Sequence, residues 1–188
     1  MSAEKERSLS TQKAIFKLIP VFRKYGYEGT TLSMLSQASG LGKASLYHHF
    51  PKGKAEMARA ALDYIASSFE DTVLEPLSGK GKPRERIEAM CCSLKEFYDN
   101  GRNACFLAIM SFGEADNLFH DLVKQKLKTW IDILAQVLIE AGIEAHQAKD
   151  RSTEAMMEIQ GAVILVRILD DTTLFKKVVK NLPAKLLD

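Results

Sequence analysis

The sequence lacks the features that mark membrane and secreted proteins. No apolar run approaches the roughly 18 residues needed to cross a bilayer, and the first ten residues lack the apolar core of a signal peptide. The three cysteines, Cys91, Cys92 and Cys105, form no CxxC pair and no zinc-like spacing with the four histidines. We therefore expect a cytoplasmic protein, bound to no membrane and no metal, whose cysteines pack as small apolar side chains.

Signatures of catalysis are also missing. The chain has no Gly-rich phosphate loop, no nucleophile elbow and no paired metal ligands. The acidic pair Asp170-Asp171 is more simply explained as the end of a helix or a turn. The sequence thus predicts a protein that is not an enzyme and needs no cofactor. A regulator gated by oxidation of Cys91, Cys92 or Cys105 stays open as an alternative.

What the sequence does contain is apolar residues at helical spacing along most of its 188 residues. The run Val163–Val166 contains three β-branched residues, but a strand there would have no partner. Hydrophobic residues make up 46% and charged residues 27%, a balance typical of a soluble globular chain. We therefore predict an all-α fold. The predicted helices after residue 50 are 54–74, 84–100, 116–141, 146–169 and a last short helix ending before Pro183.

Charge is divided unevenly along the chain. Residues 1–54 carry nine Lys or Arg against three acids, whereas the rest carries 17 against 21. A basic N-terminal third on an acidic body is typical of a small module that binds a polyanion.

Residues 31–54 contain two short helical patterns joined by Gly40-Leu41-Gly42. Leu32, Leu35 and Ala38 predict the inward face of the first. In the second, Leu46 and Phe50 lie four residues apart and face inward, so the small, polar and cationic side chains between them face outward. Two helices joined by such a turn form a helix-turn-helix, although an ordinary corner between helices has the same spacing.

The preceding helix is expected to begin at Ser10 or Thr11 and to end at Gly26. Pro20 should kink it or divide it near Phe16, because proline removes a backbone donor. Thr31 is the expected cap of the second helix, and the third should end at Phe50-Pro51.

These residues together resemble the TetR family of bacterial repressors. The resemblance runs from about Thr11 to Lys54 and includes Tyr25-Gly26-Tyr27, the turn Ala38–Leu41 and the segment Leu46–Pro51. The segments Asn103–Leu107 and Gly161–Asp171 are similar to the LmrA-like branch of the family. Gly42 departs from the family, which usually has a capping serine there, and one extra residue lies between Phe50 and Lys54.

The resemblance implies a helix-turn-helix DNA-binding domain at 1–54 and a helical ligand-binding and dimerisation domain at 55–188. Lys43, Ala44 and Ser45 are expected to reach base edges of double-stranded DNA. The remaining DNA contacts are expected to go mainly to phosphates, and His48 can also reach bases. These predicted contacts are made by Thr31, Tyr47, His48, His49 and Lys54. A hydrogen bond within the protein is the alternative for His49, and packing is the alternative for Tyr47.

One such module reads few base pairs, so a homodimer on a palindromic operator is expected. The segment Ile159–Leu169 is apolar on more faces than one core can bury, which predicts a four-helix interface between two copies. A central helix buried within one subunit is the alternative. The predicted interface residues are Ile159, Ala162, Val163, Val166, Phe175, Val178 and Val179.

The family resemblance also implies a cavity for a small-molecule effector in the C-terminal domain. Without a charged constellation in it, a mostly apolar effector is expected, whose binding releases the operator. The predicted lining is Phe69, Met90, Phe97, Phe106, Met110, Trp130, Leu134 and Met157. The predicted function is that of a ligand-responsive repressor, and a transcriptional activator of the same fold is the alternative.

Overall fold

A computed structural model describes residues 3–188, with side chains described from Ser10 onward, and it contains ten α-helices and no strand in that part of the chain. Lys5 and Arg7, counted above in the basic N-terminal third, therefore have side chains outside the described residues. The fold is all-α, as predicted. The helices are α1 Ala3–Tyr25, α2 Leu32–Ser39, α3 Lys43–His49, α4 Lys54–Phe69, α5 Glu75–Ser78, α6 Pro83–Phe97, α7 Phe106–Ile109, α8 Gly113–Glu140, α9 Ala145–Leu169 and α10 Thr173–Leu187.

The chain packs into two compact units. The first contains the described residues up to Ala66 together with Phe106–Val123, and the second contains Ser67–Cys105 and Lys124–Asp188. These packing units differ from the predicted functional domains, because α7 and the first turns of α8 pack with the N-terminal helices. The boundary after residue 54 stays a prediction. None of the helices in the described part of the chain is long and apolar enough to span a membrane.

In the first unit, α1 packs against α2 through a stripe of fully buried side chains that includes Leu18 and Phe22. The prediction that Ser10 or Thr11 begins this helix was wrong, since α1 begins at Ala3. The predicted division at Pro20 was also wrong. Pro20 is exposed and costs one backbone hydrogen bond, while the buried stripe continues on both sides of it and holds the helix together.

In the second unit, α9 packs mainly against α10, which in turn packs against α6. A π-helical turn, Glu70–Leu74, separates α4 from α5, so the predicted helix 54–74 is interrupted after Phe69 and the following helical turn extends to Ser78. The predicted end before Pro183 was wrong. The helix α10 continues through this proline to Leu187, because Leu182 and Leu186 lie on the same buried face.

Candidate nucleic-acid interface

The connection between α2 and α3 is a tight turn held by side chains. Gly40 has a φ of 72°, the left-handed conformation that L side chains rarely adopt, and it ends α2. The buried Ser39 hydroxyl accepts a hydrogen bond from the Leu41 amide at 3.2 Å and donates to the Ser36 carbonyl oxygen. The Lys17 ammonium donates to the Ser39 carbonyl oxygen at 3.1 Å, which ties the turn to α1.

Thr31 caps α2 as predicted. Its hydroxyl oxygen accepts a hydrogen bond from the Met34 amide at 3.3 Å, and the residue is exposed. The inward face of α2 differs from the prediction, because Leu35 and Ser39 are buried whereas Ala38 is exposed. At 3.6 residues per turn, the position four residues after Leu35 faces the core better than the position three residues after it.

The two faces of α3 are sharply separated. Leu46 is fully buried, and Phe50, which ends the helix, is 2% exposed. The predicted base-contacting residues Lys43, Ala44 and Ser45 are all exposed, in the first turn of the helix. The Lys43 ammonium makes no hydrogen bond or ion pair with any described residue. This end of α3 therefore offers a cation, a methyl group and a hydroxyl to a partner.

The second half of α3 presents rings to solvent. Tyr47 is 45% exposed, and one edge of its ring lies against the turn at Gly53, where a Cβ would come within 3.4 Å of it. His48 is exposed and contacts the His49 ring edge to face, with centroids 5.8 Å apart. The phenol of Tyr47 is thus held in place while its outer surface stays accessible.

Two of the predicted DNA contacts are engaged within the protein. His49 is half-buried, and its Nδ1 lies 3.0 Å from the hydroxyl of Thr11 on α1. The Lys54 ammonium donates to the Tyr27 carbonyl oxygen at 3.0 Å and lies 4.1 Å from the centre of the Tyr27 ring. Both residues therefore position the helix-turn-helix. The extra residue between Phe50 and Lys54 argued against a phosphate contact for Lys54, but it did not indicate the contact with Tyr27.

The sequence reasoning missed Glu28, which links the turn after α1 to the start of α8 within the first unit. Its carboxylate accepts a hydrogen bond from the Glu114 amide at 2.5 Å. Its own backbone amide and the amides of Glu114 and Ala115 hold the pKa of this carboxyl below its ordinary value. Beside it, the rings of Tyr27 and Phe119 meet edge to face at 6.0 Å. No local pattern signals such a pair, because the residues are far apart in sequence.

Three of the predicted effector-lining residues form an aromatic cluster in the second unit. The Phe69 ring lies 5.0 Å from that of Phe97 and 4.7 Å from that of Trp130, edge to face in both pairs. Trp130 is 3% exposed, and its indole Nε1 has no hydrogen-bond acceptor among the described residues. Met90 and Leu134 are buried in the same unit.

The other predicted lining residues lie elsewhere. Phe106 and Met110 are buried in the first unit. The prediction for Met157 was wrong, since its side chain is 61% exposed. In the helix α9, Met157 lies opposite the side formed by Ile159 and Val166, which packs into the core.

The predicted dimer-interface residues are, with one exception, core residues of a single subunit. Val178 is half-buried, and the other six are less than 5% exposed: Ile159, Ala162, Val163, Val166, Phe175 and Val179. The apolar surplus that the sequence indicated is nevertheless present on α9. Its exposed apolar side chains, here called the outward stripe, are Met157, Ile164, Leu165, Ile168 and Leu169, with Gly161 between the first two.

The outward stripe continues into a groove of about 450 Å³ between α9 and α10. Leu165, Leu174 and Val178 line it, with Lys177 and Lys185 at its edge. The side chain of Lys185 forms an ion pair with Glu158 across the groove at 2.5 Å. An apolar helix face and an adjoining apolar groove thus form one surface.

The three cysteines differ in solvent exposure. Cys91 and Cys105 are buried, and Cys92 is exposed. Burial raises the pKa of the Cys91 thiol to about 12, which disfavours the thiolate that oxidation requires. Cys92 is therefore the cysteine on which the redox alternative depends.

Three consecutive helices, α1 to α3, that present α3 outward after a glycine turn define a helix-turn-helix DNA-binding protein. Residues 19–61 match the family model of the bacterial regulatory proteins of the tetR family. Residues 83–181, more than half of the chain, match the C-terminal domain of LmrA/YxaF-like transcriptional regulators. The chain belongs to the TetR family, in its LmrA/YxaF-like branch, and is a DNA-binding transcriptional regulator rather than an enzyme.

The chain is also similar to individual proteins of this family. The chain is 24% identical to the uncharacterized HTH-type transcriptional regulator YxaF of Bacillus subtilis, over 94% of this chain and 95% of that protein. It is 26% identical to LmrA of the same organism, over 83% and 85%. A cysteine mutant of the TetR family regulator CifR, solved in complex with 26-bp double-strand operator DNA, shares the fold with a TM-score of 0.76 and 18% identity, over 92% and 94%.

Proposed function

We propose that this protein is a repressor that binds a palindromic operator as a homodimer and is released by a small, mostly apolar effector. The observation that supports the proposal is that one chain has two exposed surfaces of different chemistry. They are the polar outer face of α3 and the apolar outward stripe of α9. The first fits a major groove, and the second fits another copy of itself. One half-site per subunit then follows from the two-fold symmetry of such a dimer.

The DNA contacts divide by position on the helix-turn-helix. Lys43, Ala44 and Ser45 would meet base edges, since they form the exposed first turn of α3. Thr31, Tyr47 and His48 would meet phosphates, where hydroxyl and imidazole donors fix the register of the protein on the duplex. His49 and Lys54 would act indirectly, by holding α3 and α4 in place through Thr11 and Tyr27.

Footprinting on the DNA upstream of the protein's own gene, at two salt concentrations, tests operator binding. A protected palindrome that is lost with rising salt supports a dimeric operator binder, because neutralised phosphates release counterions. In vitro transcription from the same template tests the sign of regulation. Reduced transcript supports the repressor, whereas increased transcript would favour the activator of the same fold.

Lys43→Ala is expected to relax base preference at one position in each half-site, with a cost of about 1–3 kcal/mol on the preferred base. Tyr47→Ala should instead weaken binding to every operator variant alike, and it should leave the salt dependence unchanged because the phenol is neutral. Fluorescence anisotropy with single-base operator variants measures both effects.

Lys80→Ala is the matched control for Lys43→Ala, since Lys80 is an exposed lysine of the second unit. It should leave all affinities unchanged. A uniform loss for Lys43→Ala, with a salt slope flatter by about one, would identify Lys43 as a phosphate contact and contradict the base assignment.

The effector proposal is supported by the cluster of Phe69, Phe97 and Trp130. Its rings offer apolar contact, and the buried Trp130 N–H offers one hydrogen bond that the described residues leave unmade. The effector would therefore be an apolar molecule that carries a hydrogen-bond acceptor. It would act by stabilising a state in which the two α3 helices no longer match the half-site spacing. The helix α8 would transmit the change, since it carries Trp130 and its first turn is held by Glu28.

Trp130 is the chain's single tryptophan, so its fluorescence reports directly on this cluster. We compare each aromatic ketone with the hydrocarbon of the same skeleton. We expect the ketone to quench the emission and to release the operator at concentrations about 5–10 times lower than the hydrocarbon. Trp130→Phe, assayed by operator release, should abolish this preference while both compounds still bind. An equal preference in the wild-type protein and in Trp130→Phe would exclude the indole N–H as the donor.

A further inference from the structure

A second cleft lies in the second unit, where the chain passes from α9 to α10. Its volume is about 370 Å³, and Arg102, Val166, Arg167, Asp170 and Thr172 line it. This volume falls within the range of small-molecule sites. Two of its five lining residues carry a guanidinium group, so its chemistry differs from that of the aromatic cluster around Trp130.

The position of Arg102 is set by the turn that precedes it. Gly101 has a φ of 93°, and a Cβ there would lie 2.9 Å from Val166 Cγ2 on α9 and 3.0 Å from Phe175 Cβ on α10. The 3₁₀ turn Asp99–Gly101 is therefore closely packed against both helices, with no space for a side chain at Gly101. The Arg102 amide donates to the Asp99 carbonyl oxygen at 3.1 Å, so the backbone of Arg102 belongs to the same rigid turn.

The cations of this cleft are weakly paired. Arg167 makes no hydrogen bond or ion pair with any residue that the structure describes. The Arg102 guanidinium contacts only the Asp99 carboxylate, at 3.3 Å, in a pair that is more than half exposed on both sides and therefore contributes little. The neighbouring Asp171 carboxylate is occupied by the Thr173 amide at 2.9 Å. Asp170 is the acidic residue that lines the cleft.

We propose that this cleft binds a small oxyanion, a carboxylate or a phosphate group, as a second ligand site of the regulator. Arg102 and Arg167 supply planar guanidinium donors, which match the geometry of such groups and bind them in pairs of parallel hydrogen bonds. The Thr172 hydroxyl, which lines the same cleft, supplies a further donor. The Asp170 carboxylate repels a bound anion and therefore lowers the affinity of the site.

Isothermal titration calorimetry of the full chain with inorganic phosphate and with citrate, at constant ionic strength, tests this site. We expect saturable binding of at least one of them, weakened five-fold or more in Arg167→Gln and in Arg102→Gln. Asp170→Asn should strengthen binding several-fold, because it removes the opposing charge and asparagine tolerates the left-handed conformation of residue 170. Whichever anion binds more tightly identifies the oxyanion that the site prefers.

Arg84→Gln is the matched control, since Arg84 is an exposed arginine of the same unit whose ion-pair partner is Asp188. It should bind the anions as the wild-type protein does, and size-exclusion chromatography should show the same oligomeric state for every variant. Binding that is absent, or that persists unchanged in Arg102→Gln and Arg167→Gln, would overturn the proposal. So would an Asp170→Asn variant that binds no more tightly than the wild type.

Discussion

Replacing Ile168 with glutamate should convert the proposed homodimer to a monomer and lower its operator affinity by a factor on the order of 100 or more. Ile168 is 69% exposed, the largest exposed fraction on the outward stripe. Gly161 has no side chain, and a Cβ there would meet nothing within 4 Å, so a second helix can approach the stripe closely. A carboxylate placed there would be buried without a partner in the dimer, which costs several kcal/mol.

The loss of affinity follows from the loss of bivalence. In a dimer, the second α3 binds its half-site in an intramolecular step after the first α3 has bound. The high effective concentration of the second half-site raises the affinity by a factor of about 10² to 10⁴. A monomer retains only the contacts of one half-site. Multi-angle light scattering measures the mass of the variant, and fluorescence anisotropy measures its affinity for the operator.

Ile139→Glu is the control for this substitution. Ile139 is an exposed isoleucine on α8 in the same unit, 40% exposed and outside the outward stripe. It should leave mass and affinity unchanged. An Ile168→Glu variant with the mass and operator affinity of the wild type would contradict a dimer interface on the outward stripe.

Gly101→Ala should lower the free energy of unfolding by about 3 kcal/mol. Two costs add: an L side chain in the left-handed region costs about 1–2 kcal/mol, and forcing a methyl group against Val166 and Phe175 costs about 1–3 kcal/mol. For a chain of this length, the expected fall in Tm is about 10 °C. Thermal and urea denaturation at one fixed protein concentration measure the effect.

Gly142→Ala separates the two costs. Gly142 has the same φ of 93°, but a Cβ there would meet nothing within 4 Å. We expect it to cost only the conformational part, about 1–2 kcal/mol. Equal losses at the two positions would show that the packing of the Asp99–Gly101 turn against α9 and α10 does not contribute.

The helix-turn-helix was predictable because its signals are local. Thr31 caps α2 through its own side chain, and Phe50-Pro51 ends α3 because a residue before proline disfavours helix. Leu46 and Phe50, four residues apart, are both buried as their spacing indicates. Each of these effects operates within a few residues, so an amino-acid pattern is sufficient to find it.

The errors arose where packing outweighed a local preference. Pro20 and Pro183 were expected to break helices, yet α1 and α10 continue through them because the buried faces extend to both sides. The prediction of interface residues on α9 and α10 rested on the apolar character of these two helices. Apolar character does not tell which side of a helix faces its own core, and Val163 and Val166 face inward whereas Ile164 and Ile168 do not.

The sequence by itself determined the all-α class and the helix-turn-helix, because periodicity, caps and turn residues are properties of neighbouring positions. The family was indicated by the resemblance of the segment from Thr11 to Lys54 to TetR regulators. Only the tertiary structure decided that Lys54 and His49 bond within the protein, that Glu28 holds the first turn of α8, and that Arg102 and Arg167 share a cleft. Each of these contacts joins residues that are distant in sequence. Their energies depend on distances between groups that the fold brings together, which no local pattern encodes.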